Sequence, residues 1–331
     1  SLDENDISLY IGIPFCPTRC AYCSFVSHSV EKSLKLIAPY LEALQRETAA
    51  AGRLAAELGL RVVSVYIGGG TPTTLSAEEL SALLACVRGA FDLSACREFT
   101  VEAGRPDTIT REKLQSIERG GADRISINPQ TMSDAVLAAI GRRHSGAAVT
   151  ESYLLAREVF SGAVNMDLIA GLPGDSAEGF AASLDAVIAL EPENITVHTL
   201  SLKRGSRIGL EGTPLPDGET VAAMLDYAAS ALGGADYSPY YLYRQKFTSG
   251  GFENVGWTKP GFTGVYNICM MEELHSTLSL GAGGVTKLVN PETGLIERIF
   301  NKKYPYEYIE SIDELIAAKD YMKAFYNKMR G

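Results

Sequence analysis

The sequence predicts an α/β protein: a partial (β/α)6 TIM-like barrel of parallel strands, followed by a smaller C-terminal α+β domain. Three observations carry that reading. Short runs rich in β-branched and aromatic residues recur at 8–14, 62–69, 98–103, 123–128, 164–171 and 194–200. Segments with helical periodicity and start signals fall between them. No GxGxxG follows the first strand, which favours a barrel over a doubly wound dinucleotide-binding sheet.

Taken in order, each strand brings a distinct group to its carboxyl end. The first, SLYIGIP, runs into IPFCPTRCAYCSF, where Cys16, Cys20 and Cys23 stand in a C-x3-C-x2-C spacing. The second, VVSVYIGG, ends in Gly68-Gly69-Gly70-Thr71-Pro72, a turn whose backbone amides suit an anionic or zwitterionic group. Ser76-Ala77-Glu78-Glu79 then opens the helix LSALLACV by the capping-box pattern. The third strand, EFTVEA, carries Glu102, and Thr110-Arg111-Glu112-Lys113 starts the next helix. The fourth, DRISIN, leads to Gln130. The fifth, VNMDLIAG, carries Asp167 ahead of GLPGD, and Ser176-Ala177-Glu178-Gly179 opens FAASLDAVIAL. The sixth, NITVHTL, carries His198. Alone, each of these reads as a turn or a satisfied structural polar group. In parallel barrels the working residues lie at this end of the strands, so together they are expected to share one rim.

After about residue 203 the alternation stops. RGSRIGLEGTPLPDG (204–218) reads as a linker, followed by a helix near 219–233, a tyrosine-rich strand at 237–247, a Gly-rich loop at 249–264 and a last helix near 313–329.

A chain of 331 residues that is 46% hydrophobic can bury the core of one large α/β unit plus an appendage. Its formal charge of −10 argues against nucleic acid and anionic lipid and for a small-molecule partner. No apolar run is long enough to span a bilayer, and the acidic opening SLDENDIS is unlike a signal peptide, so a cytoplasmic protein is expected. The cysteines, three together with Cys86, Cys96 and Cys269 scattered, suit a reducing compartment. A first residue of Ser is expected of a trimmed chain or the later part of a longer polypeptide.

Three cysteines are one short of a closed tetrahedral zinc site. The spacing alone also suits buried thiols or a partial zinc site, but three thiolates leave a ligand position to something that is not protein. With Tyr22 before the third cysteine and GGGTPT after the second strand, the pattern resembles the radical S-adenosylmethionine (SAM) superfamily. That resemblance implies a [4Fe–4S] cluster on Cys16, Cys20 and Cys23, with the remaining iron taking the amino and carboxylate groups of SAM.

LYIGIPFCPTRCAYCSF, IGGGTPT, FTVEAGRPDT, RISINPQT, AIGRRH, NMDLIAGLPG and ITVHTLSLKR follow in the order of the oxygen-independent coproporphyrinogen III oxidase family. The tail SPYYLYRQKFTSGGFENVGWTKPG with YNICMMEE is most like its HemZ branch. The resemblance implies a radical SAM core over 1–203 and a C-terminal substrate-binding or accessory domain over 204–331. It assigns Tyr10, Gly69, Gly70, Thr71 and Glu102 to SAM; Gln130, Arg142 and Asp167 either contact a second SAM or orient loops around one. Ser24-Phe25 after the last cysteine departs from the CxC ending of the best-characterised oxidases and is shared with HemW-type haem-binding relatives. Tyr266-Asn267 and LSLGAGGVTK (278–287) depart in turn from the HemW pattern.

The implied reaction is oxidative decarboxylation of two propionates of coproporphyrinogen III to vinyls, with flavodoxin or ferredoxin as electron donor. The alternatives are a haem-binding chaperone and an anaerobic haem-modifying methyltransferase. Cations for the tetrapyrrole carboxylates are expected among Lys203, Arg204, Arg207, Arg244 and Lys246, with Arg204 and Arg244 gripping propionates and Tyr240, Tyr241 and Tyr243 against the ring. Cys86 reads as core, His28, His144 and His275 as structural or surface groups, and His198 fits a structural or a functional role equally.

Overall fold

The computed structural model describes residues 3–23, 28–201, 206–244 and 251–331. Six parallel strands stand side by side in chain order: β1 (Asp6–Ile13), β2 (Arg61–Gly69), β3 (Glu98–Gly104), β4 (Arg124–Gln130), β5 (Ala163–Ala170) and β6 (Asn194–Thr199). Each lies within two residues of its expected bounds. Near-continuous burial explains why they read as apolar runs: Ile7, Leu9, Ile11 and Ile13 of β1 are fully buried, as parallel strands covered by crossover helices must be.

The crossovers include the helices Val30–Glu57, Ala77–Ala90, Arg111–Arg119, Gly146–Val159 and Ala177–Ala189. All three start signals act as caps. Ser76 and Glu79 form a reciprocal capping box, Thr110 accepts from Lys113 N, and Ser176 accepts from Gly179 N. The longest helix, Val30–Glu57, did not stand out in the sequence, because Pro39 and the buried polar pair Glu47 and Thr48 interrupt its apolar stripe.

The strands after residue 204 join the same sheet at both edges. β7 (Ser238–Tyr243) and β8 (Asn254–Thr258) follow β6, while β9 (Ser276–Leu280), β10 (Val285–Val289) and β11 (Ile296–Phe300) lie beyond β1. The order is β11-β10-β9-β1-β2-β3-β4-β5-β6-β8-β7, with β9 parallel to β1 and β8 antiparallel to β6. The sheet does not close, so the barrel is a partial one. The expected helix near 219–233 spans Gly218–Gly234, capped by Asp217.

Two expectations are corrected here. The Gly-rich stretch 249–264 contains β8, whose Gly256 is required because the Tyr241 ring fills the place of a Cβ, 1.9 Å from where one would sit. The last helix divides into Ile312–Ala318 and Tyr321–Arg330. A short helix, Val265–Met271, packs against β2 and β7, with Glu98 accepting from Val265 N (2.6 Å) and Tyr266 N (3.3 Å).

Candidate cofactor site

Toward its carboxyl end each of the six parallel strands carries one polar residue that is only partly buried between buried neighbours: Tyr10, Tyr66, Glu102, Asn128, Asp167 and His198. Side chains alternate across a strand, so these six turn away from the aliphatic residues that meet the helices and line the concave face of the sheet. Register irregularities after Glu102 and Ile127 disrupt the ladder at this level, a common device beside functional sites. Gln130 sits just beyond with φ of 68°, a left-handed conformation that is strained for a residue with a side chain.

Tyr66 links two of these groups, Glu102 and Tyr10, to Tyr266. Its hydroxyl donates to Glu102 Oε1, and its ring stacks on Tyr266 (centroids 4.5 Å apart) and on Tyr10 (6.3 Å). The Gly69 amide also donates to Glu102, so two of the residues expected to serve SAM are hydrogen-bonded to each other. Burial, helped by the nearby Asp167, pushes the Glu102 carboxyl up to about 7 against those two donors. Burial likewise keeps the phenols of Tyr10 and Tyr66 neutral, well above their ordinary range. Across the lumen, His198 Nε2 lies 3.3 Å from Asp167 Oδ2 and its Nδ1 lies 3.3 Å from Tyr243 OH. Asp167, His198 and Tyr243 thus form one chain.

The cysteine loop follows β1 directly. Cys16 is buried, and Cys20 and Cys23 are half-buried on a turn closed by Cys23 N donating to Cys20 O (3.1 Å). Thr71 Oγ1 donates to Cys16 Sγ (3.4 Å), which sets the glycine turn against the loop. Two glycines are obligatory there. Gly69 adopts φ of 107°, and a Cβ on Gly70 would stand 2.7 Å from Phe15 O and 3.0 Å from Cys16 Sγ. Ala21 N donates to Ile140 O (2.9 Å), and Arg142 Nη2 donates to Tyr22 OH (3.1 Å) while Nη1 donates to Asn128 O (3.1 Å). No disulfide joins any of the six cysteines.

Among the described residues no three His, Cys, Asp or Glu side chains converge on a point that one metal ion would occupy. A four-iron cluster is held differently, by thiolates on separate irons that surround a body instead of meeting at an atom. The donor set, thiols alone on one loop against a glycine turn without Cβ atoms, fits such a group. The polar surroundings fit an additional ligand. Asn128 Oδ1, Gln130 Oε1 and Arg142 Nε are buried without a hydrogen-bond partner, which leaves a donor and two acceptors for an incoming molecule.

Arg142 is more firmly committed than expected. Burial opposes its charge, but Tyr22 and Cys20 hold the guanidinium protonated. Of the substrate candidates, Tyr241 stacks on Tyr243 (6.3 Å) and touches Tyr240 edge-on (4.7 Å). Arg244 is exposed and paired with Glu253 (3.0 Å). Lys203, Arg204 and Lys246 lie outside the described residues. Cys86 is half-buried in its helix, and His144 and His275 are both buried. Sequence reasoning missed Tyr66, Tyr266 and Asn128. A usable signal existed: Ser8 and Tyr10, Ser64 and Tyr66, Ser126 and Asn128, and Thr196 and His198 are polar at period two inside apolar runs.

The signature described as the Radical SAM superfamily matches residues 10–187. The oxygen-independent coproporphyrinogen-III oxidase-like protein HemZ of Bacillus subtilis is 40% identical over 98% of this chain, which spans 66% of that relative, just under two thirds of its length. Heme chaperone HemW of Escherichia coli is 28% identical over 98% of the chain and 82% of its own. The structure of the E. coli coproporphyrinogen III oxidase HemN, a radical SAM enzyme, has the same fold, with a TM-score of 0.76 over 94% of this chain and 70% of that one at 23% identity. No helix among the described residues is long and apolar enough to cross a membrane. The chain belongs to the radical SAM superfamily.

Proposed function

We propose that this chain is the catalytic portion of a radical SAM enzyme of tetrapyrrole metabolism that converts two propionate side chains of coproporphyrinogen III to vinyl groups. The observation that carries the reading is its 40% identity to the oxidase-like HemZ across 98% of the chain. Cys16, Cys20 and Cys23 would hold a [4Fe–4S] cluster, which with SAM supplies a 5′-deoxyadenosyl radical. Gly69, Gly70 and Thr71 would form the side-chain-poor turn against which SAM packs, their amides already donating to Glu102, Ile13 O and Phe15 O; Tyr10 would lie alongside, and Glu102, oriented by Tyr66, would accept from the ribose hydroxyls. Gln130, Arg142 and Asp167 present polar atoms deeper along the rim, where a second SAM or the far end of the first would meet them.

The protein then places the propionate β-carbon and excludes water. Hydrogen leaves that carbon as an atom, the carboxylate leaves as CO2, and one electron passes to an acceptor, so no side chain has to act as base. Tyr240, Tyr241, Tyr243 and His198 offer a wall to the tetrapyrrole. Arg244 is available to a propionate because an exposed ion pair such as Arg244–Glu253 holds by only ~1 kcal/mol or less. Arg204 would provide a further clamp, and the cluster would be reduced by a flavodoxin or ferredoxin.

A haem-chaperone function is the second reading, favoured by the likeness to HemW over 98% of the chain. Parallel anaerobic incubations with SAM and a reductant, one with coproporphyrinogen III and one with haem, read by product mass and by haem titration, decide between them. Loss of two CO2 per tetrapyrrole supports the oxidase. Tight haem binding with no change in porphyrinogen mass would overturn it in favour of the chaperone, and a gain in haem mass would mark a methyltransferase.

A further inference from the structure

We propose that Arg105, at the end of β3, is a positioning residue that holds the cysteine loop in its ligand-receiving shape before any cofactor arrives. The proposal rests on the reading of Cys16, Cys20 and Cys23 as cluster ligands. Arg105 is 2% exposed and belongs to neither the polar ring nor the glycine turn. Its Nη1 donates to both Thr18 O (3.0 Å) and Thr18 Oγ1 (2.8 Å), and Thr18 lies midway between Cys16 and Cys20. Its other edge is fixed from behind: Nε donates to Asp107 Oδ1 (3.0 Å) and Nη2 to Asp107 Oδ2 (2.8 Å). The backbone is pinned as well, since Arg105 O accepts from Thr108 N (3.0 Å) and Thr108 Oγ1 (2.7 Å).

A buried guanidinium requires a counter-charge, and Asp107 supplies it through a bidentate contact. Neutralised in this way, the group spends its remaining N–H directions on the loop. Only a planar fork can meet a carboxylate on one edge and a backbone carbonyl with its hydroxyl on the other, so Lys cannot substitute. Three contacts from two segments therefore grip the loop from outside: Arg105 at Thr18, and Ile140 O at Ala21 with Arg142 at Tyr22. Arg105 grips the segment between Cys16 and Cys20.

The test uses metal-free protein kept anaerobic, in the variants Arg105→Lys and Asp107→Asn. The second variant frees the guanidinium from behind without touching the loop. Alkylation of each cysteine by iodoacetamide is followed by peptide mass, with Cys86 as internal reference. Loss of two charge-assisted hydrogen bonds should raise the rates at Cys16 and Cys20 about tenfold in Arg105→Lys and less in Asp107→Asn, with Cys86 unchanged. After reconstitution, iron loss to a chelator should accelerate by a similar factor. Rates within twofold of wild type in both variants overturn the clamp, as does a parallel rise at Cys86, which marks general loosening. Wild-type protein that takes up no iron overturns the cluster reading and the clamp with it. Iron-loaded wild type alongside unaltered variants overturns the clamp alone.

Discussion

Replacing Lys319 by Met should destabilise the protein by about 3 kcal/mol. Lys319 and Glu47 form an ion pair at 2.6 Å whose side chains are 3% and 0% exposed. Breaking a buried pair from one side costs ~3–5 kcal/mol, because the remaining charge is stranded. Here Glu47 keeps Gly281 N (2.8 Å), Asn301 Nδ2 (2.7 Å) and the Tyr308 hydroxyl as donors, which places the cost at the low end. At roughly 2 °C per kcal/mol for a chain of this size, Tm should fall by about 6 °C. The network also reaches the site. Gly281 and Ala282 form the turn that Tyr40 ties to β1, its hydroxyl donating to Gly12 O (2.6 Å) and accepting from Ala282 N (2.9 Å), just ahead of the cysteine loop. The assay is urea unfolding of metal-free protein under inert gas, followed by circular dichroism, for Lys319→Met, Glu47→Gln and the double variant. The double should recover a substantial part of the loss, since it leaves no unpaired charge. A single-variant loss below about 1 kcal/mol, or a double no better than the single, would refute the reasoning.

Cys16→Ala, Cys20→Ala and Cys23→Ala should each abolish iron and sulfide uptake on anaerobic reconstitution, whereas Cys86→Ala should leave it intact; stoichiometric zinc in wild type would contradict this. SAM binding should weaken as pH falls below about 7, where Glu102 takes up a proton. Tyr66→Phe removes a donor that favours the carboxylate and should move that midpoint upward; calorimetric titration of SAM that is flat from pH 6 to 8 in wild type would rule it out. Burial lowers His275 to about 4 from 6.5, so the folded protein holds it neutral while the unfolded chain binds a proton. Its contribution is therefore full above pH 6.5 and is lost as pH falls toward 4, by about 3 kcal/mol at most. His275→Asn should flatten the wild-type stability slope in that window, and unchanged slopes would show that the ring is not desolvated.

Much of the frame was legible because parallel strands buried along most of their length read as short runs of β-branched and aromatic residues, and because Ser76, Thr110 and Ser176 cap their helices through local contacts. Of the flanking strands only the tyrosine-rich β7 was. β8 and β9 to β11 are short, and Gly256 is in place only because the Tyr241 ring occupies the space a side chain would need, a fact held by a distant neighbour. The thiol spacing and the glycine turn were visible for the same local reason, since both are fixed within a few residues of chain.

By itself, then, the sequence determined the alternation of strands and helices, the three-cysteine loop and the superfamily to which they point. Tertiary structure decided what those pieces face. It brought Tyr66 onto Glu102, Tyr243 onto His198 and Arg105 onto Thr18, contacts that span 36, 45 and 87 residues of chain. Such pairs leave no periodic trace, because the physical constraint on each side chain comes from a partner that only the stagger of neighbouring strands and the closing of the loops bring within reach.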